Sequence, residues 1–150
     1  MATRDQVYMK FGEVAEAAQL FETNLGTVIL ATKSLSEAWH KKPNPNVARE
    51  FLDSINRKTL GALLIEVRKS VRFDTNGEKI LIDALGARNS LMHGFYEKHN
   101  FKIFNDDGCD DMISDLENLH SKLALGWQLA LSISDDLVKF ISDKTKKSEH

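Results

Sequence analysis

Over its first forty residues the chain repeats one pattern without interruption. Val7, Phe11, Val14, Ala18, Phe21, Leu25, Val28, Thr32, Leu35 and Trp39 follow one another at alternating spacings of four and three, and only Ala18 and Thr32 are not strongly apolar. Such spacing returns to one side of an α-helix on every turn, whereas in a strand it would scatter over both faces. The segment is therefore committed to one amphipathic helix, on the order of 50 Å long at about 1.5 Å per residue. Asn24 and Gly26 weaken its middle and are the expected place of a kink. A stripe of that length must be covered, and other helices are what the rest of the chain offers.

Pro43 and Pro45 end the first pattern. Asn46 is expected to cap a second helix running to about Arg72, with Phe51, Ile55, Leu60, Leu63, Leu64 and Val67 inside. FDTNGEK (73–79) reads as a helix–helix turn, because its flanks lack the period-two alternation of a hairpin. A third helix is predicted from about Glu78 to Lys98. HNFKIFNDDGCDD (99–111) is a loop in which FKIF makes a short extended piece. Asp110 or Asp111 then caps a fourth helix through Met112, Leu116, Leu119, Leu123, Trp127, Leu131, Leu137 and Ile141. The end, SDKTKKSEH from about 143, is a polar, frayed tail. The expectation is all-α: one domain over 1–150, an up-down bundle of four long helices at about 5–40, 47–72, 78–98 and 111–143.

Composition excludes several classes. With 20 basic and 22 acidic side chains the net charge is −2, so any nucleic-acid contact must come from a local basic site and not from bulk charge. Cys109 is the only cysteine, which rules out an intrachain disulfide and suits a reducing compartment. The start is charged from its fourth residue, and no apolar run approaches the roughly 18–20 residues that span a bilayer. A cytoplasmic protein that does not enter membranes is expected. No CxxC, HExxH or carboxylate–histidine cluster is present, and DDGCDD (106–111) lacks the alternating ligands of a calcium loop, so no metal or other cofactor is expected.

The third helix carries the chemistry. At about 100° per residue with Arg88 at zero, Leu81, Ala84, Met92 and Phe95 fall within about 40° of it. Arg88 thus reads as the middle of an apolar stripe, with Asn89 and His93 one turn apart on its flank. An unpaired guanidinium buried there would cost many kcal/mol. Either an acidic partner meets it, for which Glu13, Glu16 and Glu66 are candidates, or the stripe opens onto a polar cleft. On geometry alone the ion-paired, purely structural reading is the stronger. Gly86, Ser90 and Gly94 form a strip of small side chains on the next face, open to a close helix contact or simply solvent-exposed.

The neighbours of the pair, Ala87-Arg88-Asn89-Ser90-Leu91-Met92-His93-Gly94-Phe95-Tyr96, resemble the signature of the HEPN superfamily. In that signature an Arg is followed after four to six residues by a His, a polar residue such as Asn follows the Arg, and aromatics follow the His. The sequence-level likeness covers about 80–99. The resemblance implies a helical bundle that dimerises so that two Arg–His motifs face each other across a cleft. In active members it also implies metal-independent endoribonuclease activity.

Those residue types suit the chemistry independently. RNA carries its own nucleophile, the 2′-hydroxyl, so the protein needs a group that moves protons near neutral pH, and histidine is that side chain. It also needs a cation to hold the scissile phosphate, and the planar fork of arginine is the better shape. Arg88 and His93 are the catalytic candidates, with Asn89 supporting by donating to a phosphate oxygen or orienting the histidine. Gly86, Ser90 and Gly94 are candidates for packing at the dimer seam. One family variant, paired with a nucleotidyltransferase antitoxin, carries a modified Tyr two positions after the His. Here that place is Phe95, and Tyr96 comes one later, which argues against that modification.

The first expectation is therefore a homodimeric ribonuclease acting on single-stranded RNA, as a toxin or defence component with a protein antitoxin or regulatory partner. The alternative is a non-catalytic HEPN-like module that binds RNA or a nucleotide or serves in assembly, which the acidic net charge slightly favours. A plain structural bundle with Arg88 ion-paired is the third.

Overall fold

The computed structural model describes residues 1–148. Thr3 opens the first helix with a capping box, its hydroxyl accepting from the Gln6 backbone while the Gln6 side chain accepts from the Thr3 backbone. The helix, α1 (Arg4–Ser36), continues unbroken through Asn24 and Gly26. Gly26 serves packing: a Cβ there would lie 3.2 Å from Ile55 Cγ2 of the next helix. Asn44, not Asn46, caps α2 (Pro45–Asn56), with Pro45 in the first turn where its missing N–H costs nothing.

The predicted second helix is in fact two. Thr59 is extended, with ψ at 159°, and its hydroxyl accepts from the Ala62 backbone at 3.2 Å. A side chain that satisfies a free N–H starts a new helix in place of continuing the old one. So α3 (Leu60–Ser70) begins after a break at 57–59, burying Leu60, Leu63, Leu64 and Val67. Asp74 then caps α4 (Thr75–His93) by accepting from Gly77 N at 2.7 Å, some three residues earlier than expected. This helix ends at His93. After Gly94 comes a single turn, α5 (Phe95–Lys98), so the predicted third helix is also interrupted. FKIF is not extended: Phe101 adopts a left-handed φ of 66° and leads a 3-10 turn over Lys102–Phe104. Asn105 accepts from Gly108 N at 2.6 Å, and α6 runs from Asp106 to Ser148, starting before the predicted cap and continuing through the predicted tail as far as the structure is described. Residues 149–150 of that tail lie outside the described residues.

Helix is the only regular structure among the described residues, with six α-helices, one 3-10 turn and no strand. The break at 57–59 changes the topology. Gly26 meets Ile55 and Lys33 reaches Phe51, so α2 runs back along α1, and α3 then returns alongside it, Leu63 sharing a cavity with Gly26 and Ser70 another with Lys33. This helical hairpin replaces one long helix, and every later direction is reversed from a simple up-down bundle of four. Ala2 meets Asp110 and Lys10 meets His120, so α6 is parallel to α1. In contrast, α4 is antiparallel to both, as the Arg88–Glu22 and Phe95–Phe11 contacts record.

Phe21, Leu25 and Val28 of α1, Leu81 of α4 and Met112, Leu116 and Leu123 of α6 are fully buried in one apolar cluster. Each large side chain there contributes about 1.5–3 kcal/mol relative to exposure. The three long helices meet where Gly126 of α6 faces Ala84 and Phe21. No helix among the described residues is long and apolar enough to cross a membrane.

Candidate functional site

The buried positions of α4 are Gly77, Leu81, Ala84, Ala87 and Leu91. On the helical wheel they centre about 40° away from Arg88. Arg88 therefore stands on the flank of the buried stripe and not at its middle, and Met92, expected inside the stripe, is half exposed. The flank faces α1. There the Arg88 Nε–H donates to Glu22 Oε1 at 2.7 Å, with side-chain exposures of 24% and 32%. Glu22 is none of the three acids expected. Glu13 is engaged by Lys10 and Glu66 by Lys58 and Lys69, and Glu16 is exposed. Nothing local in the sequence marks Glu22, because only the register of α4 against α1 brings it level with Arg88.

The same guanidinium turns a second group outward. Arg88 Nη1 lies 3.3 Å from His93 Nε2. Arginine has no acceptor, so Nη1 donates and Nε2 of His93 holds the lone pair. The structure thus brings two of the predicted residues together on an exposed surface, with the lone pair of the imidazole beside a cation. Asn89 is exposed on the same side, one turn from His93. Beyond them, Tyr96 packs on Phe95 and Phe11 with ring centroids 5.2 Å and 5.1 Å away. Burial, and secondarily the neighbouring Tyr8, raise the pKa of the Tyr96 hydroxyl above the ordinary value.

The strip of small residues divides. A Cβ at Gly86 or Gly94 would meet nothing within 4 Å, so neither glycine makes a close helix contact within the protomer. Ser90 and Gly94 instead line a cavity of about 260 Å³ on the opposite flank of α4, beside Lys98, Asp115 and Lys122. Besides Gly26, the glycines that permit close approach are Gly126 and Gly108, the latter against the Lys102 carbonyl.

Next to that second cavity is a pair that sequence reading missed. His99 is buried, its Nε2 2.6 Å from Asp115 Oδ2, while Lys98 Nζ donates to the same oxygen at 3.0 Å. Burial opposes ionisation of Asp115, but hydrogen bonds from His99 and Lys98 and their charges together outweigh it and hold the carboxyl below its usual range. The pair anchors α5 to α6. Among the described residues no group of three or more His, Cys, Asp or Glu is placed to hold a metal ion.

Comparison of the chain with protein-family models, with curated proteins and with solved structures found no match.

Proposed function

We propose that this chain is a HEPN-type endoribonuclease that works without metal as a homodimer on single-stranded RNA. The observation that carries the reading is the contact of Arg88 Nη1 with His93 Nε2 at 3.3 Å on an exposed helix flank. His93 Nε2 takes the proton of the 2′-hydroxyl, the 2′-oxygen attacks phosphorus, and the bond to the 5′-oxygen breaks. The second protomer's motif, facing across the seam, returns a proton to that leaving oxygen. Arg88 holds the non-bridging oxygens as their charge grows, with Nη2 and, once the histidine swings to its substrate, Nη1 free for them. Asn89 supports by donating to the same phosphate. The product is a 2′,3′-cyclic phosphate, hydrolysed onward to a 3′-phosphate. A toxin or defence role with a restraining protein partner fits such a chemistry.

A second reading is favoured by one observation. Glu22 already neutralises Arg88, which suits a non-catalytic module binding RNA or a nucleotide, or a purely structural ion pair. Cleavage of single-stranded RNA by purified protein in EDTA separates the readings. The ribonuclease requires cleavage, 2′,3′-cyclic or 3′-phosphate ends, and loss of activity in His93→Ala and Arg88→Ala with the fold retained. An inert wild type on varied RNAs, with the two substitutions altering only stability, overturns it.

A further inference from the structure

Glu22 faces two ways. One side of it meets Arg88, and the other forms the wall of a cavity of about 340 Å³ between α1 and the α2–α3 hairpin. The volume is at the lower end of the roughly 300–1,000 Å³ of small-molecule sites, room for a single nucleoside and not for a folded partner. Its buried, apolar floor comes from Ile55 and Leu63, with the half-exposed Leu52 beside them, and its polar rim from exposed Gln19 and Asn56 and part-exposed Lys58. The break at 57–59 makes this shape. By ending α2 at Asn56 and turning the chain back, it sets an amide and an ammonium at the mouth, opposite Gln19 of α1. Gln19 and Asn56 are both exposed, so their amides are open to a ligand.

We infer that this cavity receives the nucleoside adjoining the scissile phosphate, and that Asn56 and Lys58 determine which base is held. An apolar floor beneath amide donors and acceptors matches a nucleobase, which is flat and weakly polar on its faces and reads hydrogen bonds at its edges. Lys58, which also pairs with Glu66 at 3.8 Å, adds a donor for the base edge at this end of the cavity, and the negative charge of Glu22 is engaged by Arg88. With the base seated, the adjoining phosphate is delivered to the side of Glu22 where Arg88 and His93 stand. The inference rests on the ribonuclease reading for the reaction, but the binding site is testable without it.

His93→Ala protein, which keeps the cavity, is labelled at its methyl groups and titrated separately with 3′-AMP, 3′-CMP, 3′-GMP and 3′-UMP. The expected result is saturable shifts at the Leu52, Ile55 and Leu63 methyls with at least one nucleotide. Asn56→Ala combined with Lys58→Ala weakens that binding by about tenfold, the loss of two polar contacts of modest net strength. In the active protein the same pair raises KM about tenfold with kcat little changed, and it alters the preferred cleavage site. Methyls that stay still with all four nucleotides, or a double variant that cleaves the same sites with the same KM, overturn the inference and leave the nuclease standing. Methyl shifts in a protein whose wild type never cleaves RNA overturn the nuclease and retain the cavity as a nucleotide site.

Discussion

Glu22 binds the Nε edge of Arg88 and leaves the Nη groups to face His93 and solvent. A fork held from one edge is aimed, and misplacement of such a group by an ångström can cost about 10²-fold in rate. Glu22→Ala is therefore expected to lower kcat by about 10- to 100-fold without raising KM, since removing a carboxylate does not weaken attraction for a phosphate. Glu22→Gln, whose amide oxygen still accepts from Nε, restores most of kcat. A rise in activity in Glu22→Ala would show that the carboxylate restrains the site and does not position it. The stability cost is about 1 kcal/mol or less, because the pair is partly solvated. Asp115 makes a different prediction. Its folded-state pKa lies below its ordinary value of 3.8, so its stabilisation is complete above that value and is lost as the pH falls through the folded-state pKa. Asp115→Asn should cost about 2 kcal/mol near neutral pH, with the gap to wild type narrowing in urea titrations below about pH 4. A gap constant with pH would sink this account. That Arg88, Asn89 and His93 are neighbours within two turns of one helix was legible in the sequence, because helical spacing fixes it, but the place of Arg88 relative to the buried stripe was not. Their partners were not, because Glu22 and Asp115 are chosen by tertiary register.

At the scale of elements, long stripes were legible and interruptions were not. The heptad-like run places the start of α1 within a residue but overruns its end: the helix stops at Ser36, and Trp39, the last position of the stripe, lies in the turn beyond it. The two breaks are hidden in apolar patterns that continue across them: Phe51, Ile55 and Leu60 stay apolar through 57–59, and a lone Thr59 inside such a run does not announce itself as a cap. Glycines show the same limit. Gly86 attracted notice by position and meets nothing, whereas Gly126 and Gly108 are the tight ones. A Cβ at Gly126 would stand 2.5 Å from that of Ala84, on a neighbouring helix that can shift slightly. At Gly108 it would strike the backbone carbonyl of Lys102, which is held by the 3-10 turn. Thermal unfolding should rank the alanine variants accordingly. Gly108→Ala loses most, Gly126→Ala loses about 1–3 kcal/mol, and Gly86→Ala is neutral or gains up to about 1 kcal/mol from helix propensity. Equal losses at Gly86 and Gly126 would contradict the packing described.

At the scale of the whole molecule, the α2–α3 hairpin turns α4 antiparallel to both long helices and leaves one of its flanks uncovered. That flank carries Ile82 at 52% and Met92 at 51% exposure, with Gly86, Asn89 and His93 between and beside them. Scattered exposed apolar residues are ordinary, but two on the face that also bears the candidate chemistry, with a glycine between them and open space around it, suit a helix that meets its own copy. A two-fold contact of α4 on α4 would bury Ile82 and Met92 against the second protomer, use Gly86 for close approach, and bring the two His93 rings to one seam. Ile82→Asp with Met92→Asp places charges on this contact and on no part of the protomer core. The double variant should therefore run as a monomer at micromolar concentration by light scattering, keep its helical circular dichroism and melt within a few degrees of wild type, and lose RNA cleavage. A double variant that remains dimeric moves the interface off α4, and a wild type that is monomeric yet cleaves RNA confines the chemistry to the Arg88–His93 pair of one chain.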